Sequence, residues 1–169
     1  RRYFASSGAM QTGWLKEGDA WYLLNKEGKK LTGDQEVDGE KYYLNEEGIM
    51  QTGWKWIDGK YRYYAKSGAL KKGWLKDGKK WYYLNPENGE MVTGEKEIDK
   101  VNYYFIDSGA MAVGWKWHDG AYHYYQASGA MLKGWYKEAG AWYYLNPETG
   151  KMVTGQHEVS GKYYYFNDY

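Results

Sequence analysis

Apolar and polar positions follow one another in short bursts along this chain, and each burst is closed by a glycine-bearing polar turn. Trp74-Leu75-Lys76 is followed by Asp77-Gly78 and then by Trp81-Tyr82-Tyr83-Leu84. Two β-favouring runs around such a turn predict a β-hairpin. Asp58-Gly59 and Asp119-Gly120 mark turns of the same kind. Side chains alternate across a strand, so Trp81 and Tyr83 share one face and Tyr82 and Leu84 the other. The second face is expected to be structural. Gly28, Gly48, Gly68, Gly89, Gly109, Gly129 and Gly150 recur in the loops, where they are expected to supply positive φ. No segment has a helical period.

The hairpins repeat. Anchor glycines Gly13, Gly33, Gly53, Gly73, Gly94, Gly114, Gly134 and Gly155 are 20, 20, 20, 21, 20, 20 and 21 residues apart. The units are therefore 13–32, 33–52, 53–72, 73–93, 94–113, 114–133 and 134–154, with a truncated unit at 155–169 and the tail of a preceding one at 1–12. A longer period lies above the first: Gly73 follows Gly13 by 60 residues, and Gly134 follows Gly73 by 61. Trp54-Lys55-Trp56 matches Trp115-Lys116-Trp117, and both prolines, Pro86 and Pro147, fall in equivalent loops, where they interrupt no ladder. One hairpin alone is marginal in water. An all-β solenoid of stacked hairpins, about 20 residues each, is the expected fold, and 1–169 reads as a single array.

Composition changes the picture of the core. Leu, Ile, Val and Phe supply only 23 of 169 residues, whereas Trp and Tyr supply 10 and 21. So few aliphatics argue for disorder, but a net charge of +1 and 20% aromatic residues argue against it. Burial must come from indole and phenol rings. The balance of 23 basic and 22 acidic residues leaves no nucleic-acid footprint, and no apolar run spans a membrane. Without Cys there is no disulfide and no thiolate metal site. The first residues, Arg1-Arg2-Tyr3-Phe4, are not a signal peptide, and the chain reads as a piece of a longer protein with a covalently linked domain elsewhere.

With the anchor glycine as position one, position two is Trp in five units but Asp34, Glu95 or Gln156 in the others. A residue needed only for folding would recur in every unit, so this Trp is a ligand candidate. Repeated pairs of rings at positions two and nine suit a weakly hydrated cation, which each well-placed ring face attracts by about 0.5–2 kcal/mol. They also suit the face of a sugar.

The pattern Gly73-Trp74, six residues, Trp81-Tyr82-Tyr83-Leu84, a loop and Met91-Val92-Thr93-Gly94 resembles the choline-binding repeats of Gram-positive, pneumococcal-type surface proteins. The resemblance covers nearly the whole chain. It implies a non-catalytic module that binds choline or phosphocholine on teichoic and lipoteichoic acids at the bacterial surface. A wall hydrolase or an adhesin would be the parent. It further implies cages between consecutive hairpins, built from positions two and nine of one unit and position eleven of the next, with Met or Leu near position eighteen. Carried over, the cages are Trp14, Trp21 and Tyr43; Trp54, Tyr61 and Tyr83 with Leu70; and Trp74, Trp81 and Tyr104 with Met91. Two more follow: Trp115, Tyr122 and Tyr144 with Met131, and Trp135, Trp142 and Tyr165 with Met152. Lys30 would leave the first cage open. Asp34 and Lys41, and Glu95 and Asn102, replace the ring pair, so no standard site is expected after the second or fifth unit. Trp56 and Trp117 either complete altered sites or cover the gap.

Catalytic chemistry is not apparent. His118, His123 and His157 lack metal spacing, and His118 and His123 read as a solvated pair across a turn. Carboxylate pairs such as Glu36/Asp38 fit turn chemistry, so no catalytic residue, metal or cofactor is assigned. The other readings are a glucan-binding module, an enzyme in its own right, and a structural spacer.

Overall fold

The computed structural model describes residues 2–168, and Arg1 and Tyr169 lie outside the described residues. Sixteen five-residue strands pair in sequence order as eight two-stranded antiparallel sheets, with no helix among the described residues. The hairpins are β1 (Gly13–Glu17) with β2 (Ala20–Leu24), β3 (Gly33–Val37) with β4 (Glu40–Leu44), β5 (Gly53–Ile57) with β6 (Lys60–Tyr64) and β7 (Gly73–Asp77) with β8 (Lys80–Leu84). Then follow β9 (Gly94–Ile98) with β10 (Val101–Phe105), β11 (Gly114–His118) with β12 (Ala121–Tyr125), β13 (Gly134–Glu138) with β14 (Ala141–Leu145) and β15 (Gly155–Val159) with β16 (Lys162–Phe166). Each first strand begins at an anchor glycine.

The chain forms two compact units. One holds the residues up to Leu75 together with Tyr83–Met91; the other holds Lys76–Tyr82 and the chain from Val92 onward. Both are built alike. A two-residue turn closes each hairpin, as at Asp58-Gly59, where both residues have positive φ (51° and 76°). That is the type I′ signature, whose twist matches the strands it joins. In the fourth hairpin the turn is Gly78-Lys79, one residue later than expected, and Asp77 ends β7. Only Gly78 has positive φ there, 59°, which fits a type II′ turn.

The same backbone link joins successive hairpins within each unit. The residue near position eighteen donates its N–H to the position-nine carbonyl of the preceding hairpin. In the first unit the pairs are Met50 to Trp21, Leu70 to Lys41 and Met91 to Tyr61, each at 2.8 Å. In the second they are Met111 to Trp81 at 2.7 Å, and Met131 to Asn102 and Met152 to Tyr122 at 2.8 Å. The core is built around one position of the repeat, joined by Leu23, Ile57, Ile98, Tyr144 and Val159. Position twelve, from Leu24, Leu44, Tyr64 and Leu84 to Phe105, Tyr125, Leu145 and Phe166, is buried throughout. A thin core of this kind matches the shortage of aliphatic residues.

Candidate functional site: aromatic corners between hairpins

Cross-strand register places positions two, four, nine and eleven on one face of each hairpin. Trp54 stands opposite Tyr63 and Trp56 opposite Tyr61; Trp115 stands opposite Tyr124 and Trp117 opposite Tyr122. On that face the rings at positions two and nine meet as a right-angled corner. Trp14 and Trp21 lie 6.5 Å apart at 84°, and Trp54 and Tyr61 6.4 Å apart at 89°. Trp115 and Tyr122 lie 6.4 Å apart at 87°, and Trp135 and Trp142 6.1 Å apart at 90°. The rings at positions two and nine are thus brought together in these four hairpins.

The third wall is different. Trp115 meets Tyr143 at 4.9 Å, Trp14 meets Tyr42 at 4.8 Å and Trp135 meets Tyr164 at 5.0 Å. These tyrosines occupy position ten of the following hairpin, not position eleven. The reason is geometric. Identical hairpins stacked head to tail lay the front of one on the back of the next, so the two contributions must come from positions of opposite parity. Position eleven stays on the front of its own hairpin. Accordingly Tyr83 packs on Trp74 at 5.1 Å, and Tyr144 packs on Trp135 at 5.0 Å, buried with Val159 and Phe166. Tyr43 lies 6.3 Å from Tyr64, and Tyr104 stacks on His118 at 4.1 Å. Tyr165 does line a cavity of about 540 Å³ with Trp135, Trp142, Tyr164 and Phe166.

The closing residue is also displaced by one unit. A cavity of about 240 Å³ is lined by Trp115, Tyr122, Tyr143, Met152 and Glu138. Met152 is thus brought to the fourth set, and it also lines a cavity of about 390 Å³ with Trp142 and Tyr165 of the fifth; Met131 is bonded to the hairpin before. By the same backbone link Met91 belongs beside Tyr61 and Met50 beside Trp21, while Leu70 sits at Lys41. At the first corner it is thus the Met50 backbone that meets Trp21. The remaining set is divided: Trp74 and Met91 belong to one compact unit, Trp81 and Tyr104 to the other.

Lys30 is not a missing lid. Its ammonium lies 3.1 Å from the centre of the Tyr22 ring, 4.9 Å from that of Tyr3 and 3.4 Å from a Glu17 oxygen. Burial lowers its pKa, but hydrogen bonds with Tyr3 and Glu17 outweigh that and leave it above the ordinary lysine value. Tyr22 and Glu17 hold positions ten and five, as Tyr143 and Glu138 do in the 240 Å³ cavity. The chain thus carries one of its own cations on the repeat's ring-and-carboxylate wall.

Trp56 and Trp117 flank the corners. They lie 4.6 Å from Tyr61 and 5.0 Å from Tyr122 and are 62% and 63% exposed. In the other Trp-type units Lys16, Lys76 and Lys137 cover the position-nine indole instead, at 5.8, 5.7 and 5.3 Å.

Glu138 was not found from the sequence. Its carboxylate accepts the Trp115 Nε1–H at 2.9 Å and the Tyr136 hydroxyl at 3.1 Å. Hydrogen bonding to Tyr124, then burial and Glu138, raises the Tyr136 pKa, so that phenol remains a donor. The signal was available, because position five is acidic in the three units that pair Trp at position two with Lys at position four: Glu17, Asp77 and Glu138.

Where position two is acidic, the interface is polar. Asp34, Glu36 and Lys41 face Arg62 and Tyr64 around a cavity of about 290 Å³. Between the fifth and sixth hairpins, Glu95, His118 and His123 converge. His123 is only 1% exposed, so the expected solvated pair is a buried histidine stacked 4.1 Å from a partly buried one.

Comparison with known proteins follows this geometry. A family model described as a choline-binding repeat matches residues 31–72, 51–95 and 112–156, and one described as a putative cell wall binding repeat matches 12–30. The chain is similar in structure to CbpJ from Streptococcus pneumoniae, with a TM-score of 0.90 and 35% identity, covering 98% of this chain and 60% of that one. It is similar to choline binding protein F from the same organism, with a TM-score of 0.86 and 33% identity over 98% of this chain and 59% of that one. The choline-binding domain of CbpL matches with a TM-score of 0.63 and 27% identity over 92% and 94% of the two chains. The chain spans about three fifths of the length of the first two. The comparison with curated proteins gives no match.

Proposed function

This chain belongs to the choline-binding repeat family, and on that premise we propose that it is a non-catalytic module that anchors its parent to choline on teichoic acids of a bacterial wall. The observation that carries the reading is the cavity of Trp115, Tyr122, Tyr143, Met152 and Glu138. A quaternary ammonium needs ring faces and negative charge but no hydrogen-bond acceptor. Each Glu138 oxygen already accepts a protein donor, so the carboxylate offers charge more than a free polar contact. That favours a cation over a sugar. The Lys30 ammonium on Tyr22 beside Glu17 supports the same pairing. Three ring faces at about 0.5–2 kcal/mol each give roughly millimolar binding per site, and several sites on one chain hold a polymeric surface by avidity. The array 13–154 supplies the repeats, the parent is a wall hydrolase or an adhesin, and the location is the cell surface.

Tryptophan fluorescence titrated with choline and, separately, with dextran tests this. A saturable choline response with none to dextran supports it; the opposite pattern assigns the module to glucans and overturns it.

A further inference from the structure

Glu95 and His123 stand where other interfaces keep their rings, and His118 stands beside them at position five. Glu95 replaces the position-two Trp of the fifth unit, and His123 replaces the position-ten Tyr of the sixth. Each of the three offers one ligand atom, and those atoms all lie within 4.8 Å of one another. His118 Nδ1 is 3.4 Å from a Glu95 oxygen, and its Nε2 is 2.8 Å from the Tyr125 hydroxyl. His123 Nδ1 is buried with no hydrogen-bond partner. A buried nitrogen without a well-formed hydrogen bond is costly, and beyond a backbone contact with Ala121 the groups gathered round this ring are His118 and Glu95. The opposite side is open, since the Glu95 side chain is 55% exposed.

We propose that Glu95, His118 and His123 form a binding site for a divalent transition-metal ion of the zinc class. Two imidazoles and one carboxylate are a donor set such ions accept, with solvent completing the shell. Metal binding needs the neutral imidazole, and the burial of His123, 1% exposed, disfavours its charged form. Zinc–nitrogen and zinc–oxygen bonds of about 2.0–2.2 Å put tetrahedral ligand atoms roughly 3.4 Å apart, so the three must close in. The two imidazoles are stacked at 12°. His118 therefore has to turn its edge toward His123, giving up its bond to Tyr125, and exposed Glu95 follows. The site lies off the aromatic corners, so it stands or falls independently of choline binding.

Calorimetric titration of the full chain with ZnCl₂ tests the proposal, with Glu95→Gln, His118→Gln and His157→Gln run alongside. Losing even an outer-shell partner costs about 10–100-fold in affinity. One zinc per chain, weakened about tenfold or more by Glu95→Gln and by His118→Gln but not by His157→Gln, is the expected result. Both substitutions fall on a strand edge facing the cluster and spare the buried His123, and circular dichroism of each variant confirms the fold. No saturable binding, or binding that survives both substitutions, overturns the site and assigns the buried nitrogen to a water molecule. Imidazole NMR provides the second reading: zinc must shift the His118 and His123 ring signals together and leave His157 in place.

Discussion

At the scale of the residue, two neighbouring tyrosines carry opposite duties. Tyr143 lines the cavity beside Trp115, whereas Tyr144 is 9% exposed and packs with Val159 and Phe166. Tyr143→Ala removes one ring face and should weaken choline at that corner by about 0.5–2 kcal/mol, read from the shift of the Trp115 indole N–H signal during titration. Tyr144→Ala opens a hole in the core and should cost about 3–5 kcal/mol of stability, read by urea unfolding. Similar affinity losses in the two variants would refute the assignment. Glu138→Gln keeps the shape but removes the charge. Choline should bind about fivefold more weakly, the roughly 1 kcal/mol of a partly exposed ion pair, and the loss should shrink at high salt. The position-ten wall was legible in the sequence, though not through any single unit. Tyr42, Tyr82, Tyr103, Tyr143 and Tyr164 follow units with Trp at position two, while Arg62 and His123 follow Asp34 and Glu95. Ring answers ring and base answers acid, and that pairing between consecutive units states which positions face each other.

At the scale of the element, the hairpins were legible because their causes are local. Turn residues with positive φ, an anchor glycine and a period of two all lie within twenty residues. The anchor position shows this clearly: Gly94 has φ +78°, and a Cβ there would meet nothing within 4 Å, so the requirement is backbone conformation and not space. What joins one hairpin to the next is not local. The sequence reading kept the position-eighteen methionines in their own unit, but the backbone link carries each to the hairpin before. One hairpin breaks its own turn rule. Asp99-Lys100 has φ 51° and 65° where the other turns of this type end in glycine, as at Gly59 and Gly120. A left-handed conformation costs a residue with a Cβ roughly 1–2 kcal/mol, and glycine's extra unfolded-state entropy takes back about 0.5–1 kcal/mol. Lys100→Gly should therefore stabilise the chain by about 0.5–1 kcal/mol, seen as a higher thermal midpoint. A lower midpoint would show that the Lys100 side chain holds the turn.

At the scale of the whole molecule, a core built partly of phenols makes stability sensitive to alkali. Position twelve is Leu or Phe in six hairpins and Tyr in two, Tyr64 and Tyr125, and those two are 1% and 0% exposed. Burial, with the Asp34 charge adding to it, raises the Tyr64 pKa from 10.0 to about 12. Burial likewise raises that of Tyr125, with Glu95 contributing. Between these values and the ordinary phenol value the unfolded chain releases protons that the folded chain retains, so stability falls as pH rises. The contribution is fully present below pH 10.0 and is lost as pH climbs through the folded value; for Tyr64 the gap to about 12 corresponds to about 3 kcal/mol. Urea unfolding at pH 9 and pH 11 should show a marked loss of stability at the higher pH. Tyr64→Phe and Tyr125→Phe should each reduce that loss, because phenylalanine keeps the packing and removes the proton. A loss unchanged in both variants would move its origin to lysine deprotonation and would refute the claim that buried phenols govern the alkaline limit of this fold.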